Sequence, residues 1–177
     1  MDIIDIHAVA KIAHDAGAKL VVDSTFATPV MQRPLQLGAD VVMHSMTKYL
    51  GGHSDVQGGA LIFREKDERA AQAGEVRTVI GGVLSPFNAW LILRGLRSLA
   101  CRMERHAANA LAVAKALEGH PNIEAVHYPG LPSHPGHEIA TRQMDGYGGM
   151  LSFRVKGGRE EALKAASRVK LFFNATS

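Results

Sequence analysis

The sequence predicts an α/β layer fold, and two observations carry that prediction. Three short apolar runs have the length and composition of buried strands. They are separated by helical patterns or by long connections, which is typical of a parallel or mixed sheet with helices on its faces. The three runs cover residues 19–22, 39–44 and 58–63.

The elements of the first half follow from local signals. Apolar residues recur at helical spacing over residues 6–16, and Gly17 marks the C-terminal stop of that helix. The first strand then ends at Asp23, and the second ends at Ser45. The segment 30–38 is a connector in which we expect a short helix.

The second half is predicted to be more helical and to belong partly to another domain. The apolar pattern becomes helical after Gly81, and its texture changes again after the long amphipathic helix 98–118. We place the domain boundary near residue 98, with residues 1–97 in one domain and 98–177 in a second. The predicted elements are helices over 86–99, 98–118, 137–144 and 159–168, strands over 123–128, 150–155 and 170–173, and a Pro/Gly/His loop over 129–138.

Composition and charge exclude several functional classes. The chain has 177 residues, of which 46% are hydrophobic and 21% are charged, as is usual for a folded domain. The net charge of +3 arises from bases mixed with acids, which does not indicate nucleic-acid binding. No apolar run reaches the length of about 18 residues that a membrane-spanning helix needs, so no membrane partner is expected.

The cysteine and histidine content argues against disulfides and metal sites. A single cysteine, Cys101, excludes an internal disulfide and a CxxC zinc site. Together with an N-terminus that has acids where a signal peptide needs bases, it predicts a reducing, cytoplasmic location. His134, His137 and Glu138 match neither helical zinc-protease spacing, so we predict no metal site and expect a surface loop there.

One apolar segment is expected to pack inward. Cys101 lies in an apolar helix and is assigned to the core rather than to nucleophilic chemistry. The stripe that precedes it is also assigned to packing, and it consists of Trp90, Leu91, Leu93, Leu96 and Leu99. The arginines around this segment fit either a solvated face or a contact with another subunit, and they are Arg94, Arg97, Arg102 and Arg105.

The residues with the strongest chemical signal follow the first two strands. Asp23 and Ser45 stand at strand ends, where ligands bind in α/β sheets. Thr47 and Lys48 follow directly, so two hydroxyls and an amine fall together. A lysine for an aldehyde, an acid for a pyridinium nitrogen and hydroxyls for a phosphate are what pyridoxal 5'-phosphate requires. Taken alone, the S-x-T-K spacing also fits a surface turn with a solvated lysine, and Asp23 also fits a turn cap.

Other polar residues near the lysine have structural interpretations as well. His44 fits a proton relay or a packed histidine at a strand end. His53 and Asp55 are expected to order the loop after the lysine through hydrogen bonds.

These segments resemble the Cys/Met-metabolism PLP-dependent enzymes. The string HSMTKYLGGHSDVQGG resembles the lysine segment of that family, and VVDSTFATPVMQRPLQLGAD resembles the strand and loop that precede it. The family usually has D-N-T-F where this chain has Ser24 after the aspartate. The resemblance continues through WLILRGLRSLACRMERHAANA, YPGLPSHPGHEIA and QMDGYGGMLSF, in the family's order.

The resemblance implies a fold and a set of site residues. The fold would be that of fold type I PLP-dependent transferases, an aspartate aminotransferase-like arrangement of α/β/α layers. Residues 1–97 would be the later part of the large cofactor domain, and residues 98–177 would be the interdomain helix and the start of a smaller α+β domain. Lys48 would bind the cofactor aldehyde, Asp23 the pyridinium nitrogen, and Ser45 and Thr47 the phosphate. Ser177 would correspond to a serine close to the active-site lysine.

The resemblance also implies a reaction and partners. The expected reaction is γ-replacement or γ-elimination on sulfur-containing or homoserine-derived amino acids, of the cystathionine γ-synthase or γ-lyase type. Methionine γ-lyase and O-acylhomoserine sulfhydrylase chemistry are the alternatives. The partners would be a small amino-acid substrate and further copies of the chain, assembled as a dimer of dimers. The family's ring-stacking tyrosine and carboxylate-binding arginine fall outside these 177 residues, so the chain is interpreted as a central-to-C-terminal fragment, with a non-catalytic remnant as the alternative.

Overall fold

A computed structural model describes residues 2–172. Ser177 and the last residue of the predicted strand 170–173 lie outside the described residues. Within the described range, the chain forms a mixed helix and sheet structure with two separate sheets. This arrangement confirms the predicted α/β class.

The first sheet has three strands, and its first two strands end at Asp23 and Ser45, two of the predicted site residues. Its strands are β1 (Val21–Asp23), β2 (Val41–Ser45) and β3 (Gly59–Phe63). Strands β1 and β2 are parallel, whereas β2 and β3 are antiparallel, so the sheet is mixed. Because Asp23 pairs with Met43, the carboxyl ends of β1 and β2 lie side by side, with Ser45 two residues beyond the last pair.

Local capping signals explain the elements around this sheet. Helix α1 (Ile6–Asp15) begins where the Asp5 carboxylate accepts a hydrogen bond from the Ala8 amide, and it is followed by Gly17 in the left-handed conformation. The connector between β1 and β2 contains α2 (Thr28–Met31) and a 3₁₀ turn (Pro34–Leu37). The predicted short helix in this connector is thus confirmed.

Three helices lie between the first sheet and the second in the described chain. Helix α3 (Glu68–Val79) is an addition to the sequence-based prediction, and it has no buried residue. Helix α4 (Pro86–Leu96) begins with a Ser85 cap and a proline in its first turn, and α5 (Leu99–Leu117) follows almost directly.

The second sheet pairs β4 (Ile123–His127) with β5 (Ser152–Val155) in antiparallel register. Helix α6 (His137–Gln143) lies between these strands in sequence, and α7 (Gly158–Arg168) follows them. The predicted strand over 170–173 is wrong for its described part, because residues 170–172 form a bend, with Leu171 and Phe172 largely exposed.

The core of residues 2–172 consists of three hydrophobic clusters rather than one. The first contains Met31, Leu50, Leu99 and Met103, and it packs the segment after Lys48 against α5. Tyr128 centres the second cluster, where its hydroxyl donates to the carbonyl oxygens of Gly148 and Ala107 at 3.0 and 3.3 Å. The third contains Val56, Leu91 and Ile92.

Two packing predictions need correction. Cys101 is exposed, because it lies two residues beyond buried Leu99 and therefore on the opposite side of α5. In the stripe on α4, Leu91 is buried, whereas Trp90 and Leu93 are 57% and 60% exposed. Only one face of α4 packs against the rest of the described chain.

The loop before α6 is also more buried than predicted. His134 is only 6% exposed, and its Nδ1 accepts a hydrogen bond from the Gly136 amide at 3.0 Å. His137 pairs through Nδ1 with the Pro129 carbonyl oxygen at 2.7 Å. Both imidazoles therefore act in the structure of the loop, and residues 2–172 contain no cluster of three or more metal-ligating side chains.

Within residues 2–172, none of the helices has the length and apolar character needed to cross a membrane.

Candidate functional site

The first part of the candidate site is the turn that ends β1. The Asp23 carboxylate accepts a hydrogen bond from the Thr25 amide at 2.9 Å through Oδ1. The Ser24 amide continues the parallel ladder by donating to the Met43 carbonyl oxygen at 3.0 Å. Asp23 is exposed, whereas Ser24 and Thr25 are buried, so the turn presents the carboxylate outward on a fixed backbone. Asp23 therefore does cap its turn, with one of its two oxygens.

The second part is the turn that ends β2 and carries the lysine. The Ser45 amide donates to Thr25 Oγ1 at 2.8 Å, which ties the ends of β1 and β2 together. The Lys48 amide donates to the Ser45 carbonyl oxygen at 3.3 Å, and Thr47 Oγ1 accepts from the Gly58 amide at 3.2 Å. The sequence therefore folds the S-x-T-K segment into a tight turn at the carboxyl edge of the sheet.

Asp23, Ser45 and Lys48 line one cleft of about 480 Å³. Its other walls come from distant parts of the chain, including Gln143 and Tyr147 from the region around α6. The structure thus brings together three of the predicted site residues, at the edge of the sheet where α/β folds bind ligands.

Thr47 is placed differently from those three residues. It lines a neighbouring cleft of about 290 Å³, together with Arg102 and His106. Lys48 and Phe26 line both clefts, so the two spaces adjoin at the lysine.

Sequence reasoning missed the role of Thr25. Its hydroxyl joins the two strand ends, but a threonine in a turn has no charge or spacing that marks such a role. The D-S-T-F string was the available signal, since it places Thr25 two residues after Asp23. Arg102 and His106 were also missed as neighbours of Lys48, because they lie on α5, far along the chain.

His44 lies on β2 directly before Ser45 and is a packed histidine. It is 4% exposed, and its Nδ1 has no hydrogen-bond partner within the described residues. Burial lowers the pKa of His44, although the nearby Asp23 carboxylate and the Ser24 backbone oppose that shift. The structure therefore favours the packed-histidine interpretation, with a neutral ring at neutral pH.

The loop after the lysine is ordered as predicted. His53 Nδ1 pairs with the Gly51 carbonyl oxygen at 2.8 Å, and Asp55 forms an ion pair with Arg94 at 2.9 Å. These two contacts confirm that both residues have structural partners.

An α/β sheet that gathers an amine, a carboxylate and a hydroxyl in one cleft has the donor set of a pyridoxal-phosphate enzyme. The chain belongs to the Cys/Met metabolism PLP-dependent enzyme family, which matches residues 1–177. The cofactor of that family is pyridoxal 5'-phosphate.

Several curated relatives are about half identical to the chain but have different activities in their names. Cystathionine gamma-synthase of Mycobacterium tuberculosis is 51% identical over 177 residues, covering 100% of this chain and 45% of the relative. O-succinylhomoserine sulfhydrylase of Pseudomonas aeruginosa is 53% identical over 161 residues, covering 91% of this chain and 40% of the relative. Cystathionine beta-lyase of Coxiella burnetii is 46% identical over 177 residues, covering 100% and 46%.

The fold comparison agrees with the sequence comparison. The crystal structure of metB from Corynebacterium glutamicum superposes with a TM-score of 0.96 at 48% identity, over 99% of this chain and 46% of that one. The chain therefore spans about half the length of the relatives it matches.

The residues present fit the family's cofactor. The cleft volume of about 480 Å³ lies in the range of small-molecule sites, which is about 300–1,000 Å³. Its donor set supplies an amine for an aldehyde, a carboxylate for a protonated ring nitrogen, and the Ser45 hydroxyl for a phosphate oxygen.

Proposed function

We propose that the intact protein carrying this chain catalyses PLP-dependent γ-replacement or γ-elimination on sulfur-containing or homoserine-derived amino acids. A cystathionine γ-synthase or γ-lyase reaction is our first choice. The observation that carries the proposal is the convergence of Asp23, Ser45 and Lys48 on one cleft at the carboxyl ends of β1 and β2. The names of the relatives support the substrate class, which is an amino acid with sulfur or an acylated oxygen on its side chain.

The cofactor, when bound, supplies an electron sink that stabilises negative charge at the substrate carbons. In this proposal Lys48 is the residue that holds the cofactor aldehyde. The Lys48 amine, when it is not bonded to the cofactor, would move protons at the substrate Cα and Cβ. Chemistry at Cγ needs both transfers, because charge must reach Cβ before a group leaves Cγ.

Asp23 keeps a proton on the cofactor's ring nitrogen. The Thr25 amide holds Asp23 Oδ1 at 2.9 Å, which fixes the carboxylate plane and orients the second oxygen. A carboxylate favours the protonated ring because opposite charges at short range stabilise each other.

Ser45 and Thr47 hold the phosphate in this scheme. Thr47 Oγ1 already accepts a hydrogen bond from the Gly58 amide, so its hydroxyl proton remains available to donate to a phosphate oxygen. Ser45 lies on the cleft wall beside Lys48. It is held there by the hydrogen bond that its backbone amide donates to Thr25 Oγ1.

The test is a set of substrates supplied to the intact protein. We expect cystathionine from O-succinylhomoserine plus cysteine, or 2-oxobutyrate from cystathionine or methionine. Pyruvate and homocysteine from cystathionine would instead indicate β-cleavage, and sulfide uptake with O-acetylhomoserine would indicate sulfhydrylase chemistry. Pyruvate as the only product, or steady amino transfer to a keto acid, with no γ-replacement or γ-elimination product would refute the proposal, and a Lys48→Ala variant is the matched inactive control.

We further propose that the intact protein is a homo-oligomer, a dimer of dimers, in the cytoplasm. The exposed apolar side chains on α4 support self-association, because Phe87, Trp90 and Leu93 are each more than half exposed. The single, exposed Cys101 fits a reducing compartment. Mass measurement by light scattering tests the assembly, and a monomer at micromolar concentration would contradict it.

A further inference from the structure

The side chain of Arg102 joins three separate segments near the lysine. Its Nε donates to Ser98 Oγ at 3.0 Å, and one terminal nitrogen donates to the Gly95 carbonyl oxygen at 2.8 Å. The other terminal nitrogen donates to the Tyr49 carbonyl oxygen at 2.8 Å. Tyr49 is the residue directly after Lys48, so the guanidinium on α5 holds the backbone at the site itself.

The backbone that follows Lys48 also packs closely against Gly95 of α4. A Cβ atom at Gly95 would lie 2.7 Å from the Leu50 carbonyl oxygen and closer still to that of Gly51. Gly52 has a φ of +73°, and a Cβ there would collide with the Arg102 guanidinium. The segment 49–52 is therefore fixed between a glycine of α4 and the side chain of Arg102.

We infer that Arg102 is a positioning residue for Lys48: its guanidinium fixes the Tyr49 carbonyl group and thereby the backbone from which the Lys48 side chain projects. This inference rests on the proposed role of Lys48 as the residue that holds the cofactor. A misplacement of about 1 Å at a reacting group costs on the order of 100-fold in rate, so a backbone clamp beside the lysine bears on catalysis.

The geometry requires an arginine rather than any cation. A guanidinium is planar and carries donors in a rigid fork, so it can serve three acceptors that diverge around it. A lysine at position 102 has one nitrogen and cannot reach Ser98, Gly95 and Tyr49 at once. The Arg102→Lys variant therefore keeps the positive charge and loses the simultaneous hydrogen bonds to Ser98, Gly95 and Tyr49.

A purely structural alternative makes a different prediction. Two of the three bonds belong to the α4–α5 junction, where the Ser98 hydroxyl also donates to the Gly95 carbonyl oxygen at 3.1 Å. If Arg102 acts only through these two bonds, replacing its guanidinium lowers the stability of the protein and leaves the backbone of the lysine segment in place. Of the three Arg102 bonds, the one to the Tyr49 carbonyl oxygen links the junction to the site.

The experiment compares Arg102→Lys and Arg102→Met with Arg97→Lys in the cofactor-loaded, intact protein. Arg97 is exposed at the same junction and is the matched control. Hydrogen exchange is followed at the Gly51 and Gly52 amides, which donate to Met46 and Lys48 carbonyl oxygens at 2.9 and 2.8 Å. The pH dependence of the cofactor's visible absorption and the separate values of kcat and KM are the second readout.

We expect exchange at these amides to rise about tenfold or more in Arg102→Lys, while amides of β2 keep their wild-type rates. The absorption titration should shift, and kcat should fall about 10- to 100-fold with KM nearly unchanged. The Arg97→Lys control should match wild type in every readout.

Two results would overturn the inference. Exchange in Arg102→Lys equal to that in Arg97→Lys means that the guanidinium does not hold the segment. Faster exchange with an unchanged absorption titration and kcat means that the clamp does not act on the lysine. Failure of the proposed function is distinguishable, because it appears in the wild-type protein itself, either as a cofactor attached elsewhere than at Lys48 or as the absence of γ-replacement and γ-elimination products.

Discussion

The two ends of the first sheet each present an aspartate, and the two carboxylates differ in what they contact. At the amino end of β2, Asp40 pairs with His14 and Lys19 at 2.8 and 3.1 Å and accepts a hydrogen bond from the Leu20 amide at 2.9 Å. At the carboxyl end of β1, Asp23 accepts one bond from its own turn and faces a cleft. Asp40 is therefore held by several partners within the fold, whereas Asp23 faces the cleft, where our proposal assigns it to the cofactor.

Electrostatics agree with this division for Asp40. Burial by itself raises the pKa of Asp40, but hydrogen bonds from His14, Leu20 and Lys19 outweigh it and hold that pKa well below its ordinary value of 3.8. The folded state therefore stabilises the ionised form of this carboxylate.

The largest expected effect is that of Asp23→Asn on catalysis. We expect kcat to fall about 10²- to 10⁴-fold, because an amide cannot keep the ring nitrogen protonated. The free energy of unfolding should change little, since the side-chain oxygen of Asn can accept the hydrogen bond from the Thr25 amide equally well. Steady-state kinetics beside thermal unfolding measures both.

Asp67→Asn is the matched control for this variant. Asp67 is also a capping aspartate, but it caps the start of helix α3, where its side chain accepts a hydrogen bond from the Ala70 amide at 3.0 Å. Its substitution should leave both kcat and stability near wild type. If the carboxylate is only a structural cap, Asp23→Asn should keep both stability and activity, because the Asn oxygen accepts the same hydrogen bond, and that result would contradict the assigned role.

Gly95→Ala should cause the next largest change, at the same end of the sheet. A methyl group there meets backbone carbonyl groups of the lysine segment, so we expect a loss of about 1–3 kcal/mol in the free energy of unfolding. The control is Gly74→Ala in the interior of α3, where a Cβ would have nothing within 4 Å. The free energy of unfolding of Gly74→Ala should rise by about 0.5–1 kcal/mol. If Gly95→Ala were stabilised as well, the close packing at Gly95 would be contradicted.

Asp40→Asn should lower stability and spare the reaction. The partners of Asp40 are partly exposed, so we expect a loss of about 1–2 kcal/mol at neutral pH, with kcat within about twofold of wild type. Chemical denaturation and steady-state kinetics measure the two quantities. A large fall in kcat with unchanged stability would reverse the assignment of the two aspartates.

The smallest expected effect is a change in the acid dependence of stability. Because the folded-state pKa of Asp40 lies below its unfolded value of 3.8, its contribution is fully present above that pH and is lost as the pH falls below it. Asp40→Asn should therefore flatten the stability curve below about pH 4. If the free energy of unfolding of Asp40→Asn fell with decreasing pH as steeply as that of the wild type, other carboxylates would be the cause of the acid dependence.

The sequence predicted the strand ends well because the strands are apolar runs. Asp23 and Ser45 interrupt such runs, so their shared edge followed from the sheet type alone. The prediction that these strands are buried is wrong for β1 and β3, since Val21 and Leu61 are 58% and 54% exposed. Helix α3 was not predicted, since it buries none of its residues and so has no apolar face to detect. Cys101 was assigned to the wrong side of its helix because an apolar residue type was weighed above its angular position.

Long-range contacts at the site were beyond sequence reasoning. Arg102 and Tyr49 are 53 positions apart, and no local pattern pairs a guanidinium with a distant backbone carbonyl. The two clefts that meet at Lys48 likewise depend on how α5 and the loop after α6 pack against the sheet.

The central claim is that Lys48 carries the cofactor, and chemical labelling tests it most directly. The intact protein is loaded with pyridoxal 5'-phosphate, reduced with borohydride, digested and mapped by mass spectrometry. We predict that the pyridoxyl label lies on Lys48 and that Lys48→Ala shows none at any position. A label on Lys19 or Lys66 in the wild-type protein, or on no lysine at all, would contradict the account.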